Sequence, residues 1–143
     1  MFLTLLLARS AKDLPRLLNN QKGRNWEKYP VLELRGATLG IVGYGDIGKS
    51  AARLAHAYGM KVVALKRRPS TEPDPIAEVV YGNSKEELRQ IFSSCDYILC
   101  SMPLTPETEG MFGKAEFDAA KKGAVFINVG RGPIVDEPEM IAA

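Results

Sequence analysis

The sequence predicts an α/β fold, a doubly wound parallel sheet, and two observations carry that reading. Short apolar runs alternate with stretches of helical spacing from residue 38 onward, the order that builds a parallel sheet with helices on both faces. The first run also passes directly into Gly43-Tyr44-Gly45-Asp46-Ile47-Gly48, a G-x-G-x-x-G turn between a strand and a helix. The runs are near-continuous in apolar residues rather than alternating, as expected of strands covered on both sides. The expected spatial order of the strands is 3-2-1-4-5, the first five of a Rossmann-like sheet.

The elements follow in order. A leading helix is expected from the start to about Lys12, where Leu3, Leu6 and Leu7, continued by Leu14, Leu17 and Leu18, form a stripe that faces a partner. Asp13-Leu14-Pro15 reads as a cap and restart, because proline is tolerated in a first helical turn. Asn19 to Pro30 is polar and contains Gly23 and Pro30, so it reads as a loop with Trp26 as a packing anchor. Residues 1–30 thus lead into one domain over 31–143. Strands are predicted at Thr38–Val42, Lys61–Leu65, Glu78–Tyr81, Tyr97–Cys100 and Ala124–Val129, with helices at Ile47–Tyr58, Lys85–Phe92 and Lys114–Lys121. Gly59 and Gly123 sit where helices end. Ser84-Lys85-Glu86-Glu87 is a capping box, and Asp136 caps a last helix.

Composition narrows the function classes. A chain of 143 residues can bury on the order of 70% of its unfolded surface. A net charge of +2 is too small to argue for nucleic acid or membrane partners. No apolar run approaches the roughly 20 residues of a membrane span. The opening Met1–Ala8 lacks the basic start of a signal peptide, and Arg9 cuts it short. A cytoplasmic location is expected, with organellar targeting open if residues precede Met1. Cys95 and Cys100 have no metal-ligand or disulfide spacing around them and read as buried, reduced thiols. No metal site is expected.

Ligands of such sheets bind beyond the carboxyl ends of the strands. In the glycine turn, the first glycine makes the bend, the second admits a pyrophosphate to backbone N–H groups, and the third lets the helix pack closely. The second strand ends in Lys66-Arg67-Arg68, where an NAD-selective site places a carboxylate for the ribose 2′-hydroxyl. Cations there suit a 2′-phosphate, so NADP is expected in preference to NAD; a solvated basic loop is the alternative. The fourth strand leads into Ser101-Met102-Pro103-Leu104-Thr105-Pro106-Glu107-Thr108, a loop stiffened by two prolines and suited to form a wall over a planar ring. The fifth leads into Asn128-Val129-Gly130-Arg131-Gly132. Glycine on both sides is expected to turn the backbone so that Arg131 points into the crevice, where its fork can hold a carboxylate. His56 reads as structural, because it lies in the helix after the glycine turn and points away from that crevice.

Taken as a set, Gly43–Gly48, Pro103–Thr108 and Asn128–Gly132 with Ile134-Val135-Asp136 resemble the D-isomer-specific 2-hydroxyacid dehydrogenases. The resemblance implies that Gly43, Gly45, Asp46, Ile47 and Gly48 bind the pyrophosphate and that Lys66, Arg67 and Arg68 meet the adenosine ribose. It puts Met102, Pro103 and Thr108 along the cofactor cleft and Val129 and Gly130 by the nicotinamide, and makes Arg131 the catalytic arginine. It implies reversible hydride transfer between NAD(P)H and a small 2-oxo or 2-hydroxy acid, such as glyoxylate or hydroxypyruvate, by a homodimer. Family members also carry a glutamate and a histidine downstream of the arginine, and a separate substrate domain. The sequence stops twelve residues after Arg131, so the fold is incomplete relative to the family. The 143 residues read as a fragment or truncated product with negligible turnover alone. A dinucleotide-sensing interaction protein, like the corepressors of the same family, is the rival reading.

Overall fold

The computed structural model describes residues 11–143. The stretch of the leading helix before Ala11, with Leu3, Leu6, Leu7 and the signal-peptide question, lies outside the described residues. Helix α1 (Leu14–Lys22) starts as expected: the Asp13 carboxylate accepts from Arg16 N–H, and Pro15 occupies the first turn. None of its residues is buried, and Leu14, Leu17 and Leu18 are exposed.

Two expectations for this region are corrected. The helix runs through Asn19–Lys22 rather than opening into a loop at Asn19, because nothing before Gly23 breaks it. Gly23 ends it by donating to the Asn19 carbonyl at 2.9 Å. Trp26 is no packing anchor, being 90% exposed. Polar ties hold the segment instead. Glu27 pairs with Arg16 and accepts from Asn20 Nδ2 at 3.1 Å, and the Arg16 guanidinium stacks 4.2 Å from the Tyr29 ring centroid.

From residue 38 the alternation becomes β1 (Thr38–Val42), α2 (Asp46–Ala57), β2 (Lys61–Leu65), β3 (Val79–Tyr81), α3 (Lys85–Ser94), β4 (Tyr97–Cys100), α4 (Lys114–Ala119), β5 (Val125–Asn128), a 3₁₀ turn at Gly132–Ile134 and α5 (Glu137–Ala142). The five strands are all parallel in the order β3-β2-β1-β4-β5. The expected topology therefore stands, with ends displaced by one or two residues. Gly59 closes α2 at φ +75°, the Ser84–Glu87 capping box forms, and Asp136 caps α5. Helix α4 ends earlier than expected, with Ala120 as its cap, so Gly123 (φ +81°) serves the turn into β5 instead of the helix end.

Two apolar layers cover the sheet. Leu39 and Ile41 face the layer built with Ala52 and Ala55 of α2. Val42 faces the opposite layer, with Leu88, Ile91 and Phe92 of α3 and with Phe112 and Ile134. That split follows from the two-residue period of a strand. Gly40 lets α3 approach β1, since a Cβ there would lie 2.5 Å from Ile91 Cγ2. Cys95 and Cys100 are buried, free thiols in this second layer, and burial pushes both up from the ordinary thiol range. Among the described residues no helix is long and apolar enough to cross a membrane.

Candidate functional site: the crevice at the strand carboxyl ends

Gly43 takes φ +102°, a conformation open to glycine. Its N–H and that of Tyr44 both donate to the Leu65 carbonyl, at 3.0 and 3.1 Å, while its own carbonyl accepts from Ser101 Oγ at 2.7 Å. The bend is therefore pinned to β2 on one side and β4 on the other. The Lys49 N–H to the Gly45 carbonyl, 2.8 Å, is the helix's opening bond, so the N–H groups of Gly45 to Gly48 precede it as helix-terminal donors. A Cβ at Gly45 would meet nothing within 4 Å, so the backbone faces open space. A Cβ at Gly48 would lie 2.4 Å from the Gly43 carbonyl oxygen. Free donors, open approach and close helix packing together fit a pyrophosphate. Asp46 and Ile47 are exposed on the same turn.

The three cations after β2 differ in exposure. Lys66 is half-buried, and Arg67 and Arg68 are exposed. Lys66 lines a small concavity of about 180 Å³ shared with Tyr44, Lys49 and Ser70. The Glu107 carboxyl of the loop after β4 is held below the ordinary carboxylate range by the Thr105 side chain, by its own backbone and, less strongly, by the Arg67 charge.

Beyond β4, Thr108 hydroxyl donates to the Pro103 carbonyl and accepts from the Thr105 N–H, both at 2.8 Å. Its hydrogen-bonding capacity is used in fastening the loop. Met102 is half-buried and Pro103 exposed. Beyond β5, Asn128 clamps the turn, its Oδ1 accepting from Gly130 N–H at 2.9 Å and its Nδ2 donating to the Arg131 carbonyl at 3.0 Å. The expected role of the flanking glycines is corrected: neither Gly130 nor Gly132 has a positive φ. Gly130 is needed for close approach instead, since a Cβ there would sit 2.6 Å from the Met102 carbonyl oxygen. That contact draws the ends of β4 and β5 together, beside half-buried Val129. Arg131 is exposed, its Nη1 donating to the Gly130 carbonyl at 3.1 Å. His56 is exposed on α2, the helix that leaves this crevice at its amino end. Among the described residues no group of three His, Cys, Asp or Glu side chains could hold a metal.

A clasp absent from the sequence reading ties the glycine turn to the β2–β3 loop. Tyr44 is 3% exposed, and its hydroxyl donates to Asp74 Oδ1 at 2.9 Å. The same oxygen accepts from the Ile76 and Ala77 N–H groups, both at 2.9 Å. Burial opposes ionisation of Asp74, yet these three donors and the Lys49 charge hold its carboxyl below the usual range. Burial and the Asp74 carboxylate push the Tyr44 phenol up to about 12. An unfolded tyrosine ionises near 10, so the folded state's advantage is complete below about pH 10 and is lost as pH rises toward 12. Unfolding titrated between pH 9 and 12 should show stability falling by about 2–3 kcal/mol in the wild type and by clearly less in Tyr44→Phe. Equal slopes would contradict this origin.

The fold and this turn define a dinucleotide-binding domain. The model of the D-isomer specific 2-hydroxyacid dehydrogenase NAD binding domain matches residues 3–143, and the chain belongs to that family. It is 37% identical over 144 residues to glyoxylate/hydroxypyruvate reductase B of Enterobacter sp. (strain 638), covering 96% of this chain and 43% of that protein. A glycerate dehydrogenase related protein from Thermoplasma acidophilum superposes with TM-score 0.88 at 33% identity, over 99% of this chain and 48% of that one. A family member from Xanthobacter autotrophicus Py2, solved in complex with NADPH and MES, superposes with TM-score 0.85 at 30% identity, over 99% and 57%. The chain thus spans about half of these relatives' length, from 43% to 57%.

Proposed function

We propose that this domain binds NADP in preference to NAD and serves a dehydrogenase acting on small 2-hydroxy or 2-oxo acids, of the size of glyoxylate or hydroxypyruvate. One observation carries the coenzyme preference: Lys66, Arg67 and Arg68 stand at the carboxyl end of β2, where an NAD site keeps an acid. The NADPH in the Xanthobacter relative supports it. When bound, the nicotinamide supplies or accepts the hydride. The chain's own residues bind and orient. Gly43 makes the bend, and Gly45, Asp46, Ile47 and Gly48 present N–H groups to the pyrophosphate. Met102, Pro103 and Thr108 wall the cleft, and Val129 and Gly130 border the ring. Arg131 holds the substrate carboxylate and polarises the adjacent carbonyl, a task for a planar, permanently charged fork. The exposed Leu14, Leu17 and Leu18 of α1 suit pairing with a second copy. A cytoplasmic setting fits this soluble-coenzyme chemistry.

Thermal denaturation with each coenzyme tests the reading, because a ligand at a hundredfold excess over its Kd adds about 2.7 kcal/mol to the folded state. NADPH should raise Tm at lower concentration than NADH does. Equal potency, or greater potency of NADH, overturns the preference, and no shift with either overturns the binding itself.

A further inference from the structure

We propose that Lys49 of α2 and Ser70 of the β2–β3 loop, neither marked by the sequence pattern, complete with Lys66 the socket that takes the 2′-phosphate of NADP. This rests on the NADP reading above and assigns the phosphate to the α2 side of β2. The concavity of about 180 Å³ at the end of β2 is lined by Lys49, Lys66 and Ser70 together with Tyr44, Glu72 and Asp74. Lys49 leans over it, its Nζ 5.9 Å from the Tyr44 ring centroid. The same helix that begins with the pyrophosphate donors therefore carries a cation one turn further on, facing the ribose-reading strand end.

Two carboxylates border the cavity and would repel a dianion, so their state decides the matter. Asp74 Oδ1 is occupied by Tyr44 hydroxyl and by the Ile76 and Ala77 N–H groups, which spread and offset its charge. Glu72 donates its backbone N–H to Ser70 Oγ at 3.1 Å. Ser70 thereby has its oxygen engaged as an acceptor and its O–H proton available to donate. Two ammonium groups and one hydroxyl match the acceptor oxygens of a phosphate monoester. The Glu72 carboxylate and the ionised, triply hydrogen-bonded Asp74 are the opposing charges.

The test titrates NADPH and NADH against the wild type, Lys49→Met, Lys49→Arg, Glu72→Gln and the remote control Lys122→Met, with Tm recorded for each. Losing one charge-assisted contact should weaken NADPH binding about tenfold in Lys49→Met and NADH binding by less than about threefold. Lys49→Arg should retain most of the preference, Glu72→Gln should increase it, and Lys122→Met should leave it unchanged. A wild type without preference for NADPH overturns the NADP reading and the socket together. A preference that survives in Lys49→Met, or equal losses for both coenzymes, overturns the socket alone.

Discussion

Gly48→Ala is expected to weaken coenzyme binding at least about a hundredfold while costing no more than about 2 kcal/mol of stability. The added Cβ would stand 2.4 Å from the Gly43 carbonyl oxygen and 3.0 Å from Ile41 Cγ2. Neither neighbour can retreat freely. The carbonyl accepts the Ser101 hydroxyl at 2.7 Å, the Gly43 and Tyr44 N–H groups are both fixed to the Leu65 carbonyl, and Ile41 is fully buried. Helix α2 must therefore lift away from β1. Overpacking of this kind costs about 1–3 kcal/mol, and alanine's better helix propensity returns roughly 1 kcal/mol of it, so stability changes modestly. Binding suffers more, because lifting the helix moves several N–H donors away from the position of the pyrophosphate at once. Gly45→Ala separates the two effects. Its Cβ meets open space, so the fold should keep its Tm while affinity falls, the methyl group standing where phosphate must approach. Titration and thermal denaturation of both variants check the argument; Gly48→Ala binding within about threefold of wild type would refute it.

What could be read from the residues alone, and what could not, divides by the range of the interaction. The strand order follows from the fold class that the alternation of apolar runs and helical spacing selects, whereas the glycine turn and the caps at Ser84 and Asp136 are written in neighbouring residues: a G-x-G-x-x-G spacing, a serine three places before a glutamate. The turn and the caps are decided locally, so each was legible. The Tyr44–Asp74 clasp joins residues 30 apart, through a loop whose path no periodicity records. Asn128 gave a weak signal, an amide side chain at a strand end before glycine, and its two hydrogen bonds explain the Arg131 turn better than the flanking glycines do. Gly130 was marked as important for the wrong reason: the need is distance to the Met102 carbonyl, a contact between two different strand ends. Trp26 misled because aromatic size argues for burial only where there is a surface to cover it, and the Arg16–Glu27 pairing had already fixed the segment. That Lys49 and Ser70 share a cavity with Lys66 joins three separate segments of the chain, and no spacing records it.

Phe92→Ala is expected to cost about 3–5 kcal/mol, the largest stability loss of any substitution considered. Phe92 is fully buried at the centre of four phenylalanines, with ring centroids 5.6 Å from Phe112, 5.7 Å from Phe117 and 6.0 Å from Phe126. Those three come from the segment before α4, from α4 itself and from β5. Truncation therefore removes a large buried surface and leaves a cavity where three elements meet α3. Part of the loss is specific to ring geometry, about 0.5–1.5 kcal/mol per well-oriented pair, and a double-mutant cycle with Phe112→Ala should recover a coupling of that size. The cluster also backs the site. Phe112 N–H donates to the Ile134 carbonyl at 3.1 Å, and the Asp136 N–H returns to the Phe112 carbonyl at 2.9 Å, which braces the chain just past Arg131. The glycine turn is carried by α2 in the opposite layer. Denaturant unfolding should thus show a lowered midpoint at unchanged slope, with NADPH affinity of the folded fraction within about threefold of wild type. A cost below about 1 kcal/mol would mean that these rings do not pack as a unit. A large affinity loss in folded protein would mean that the two layers of the sheet are not independent supports.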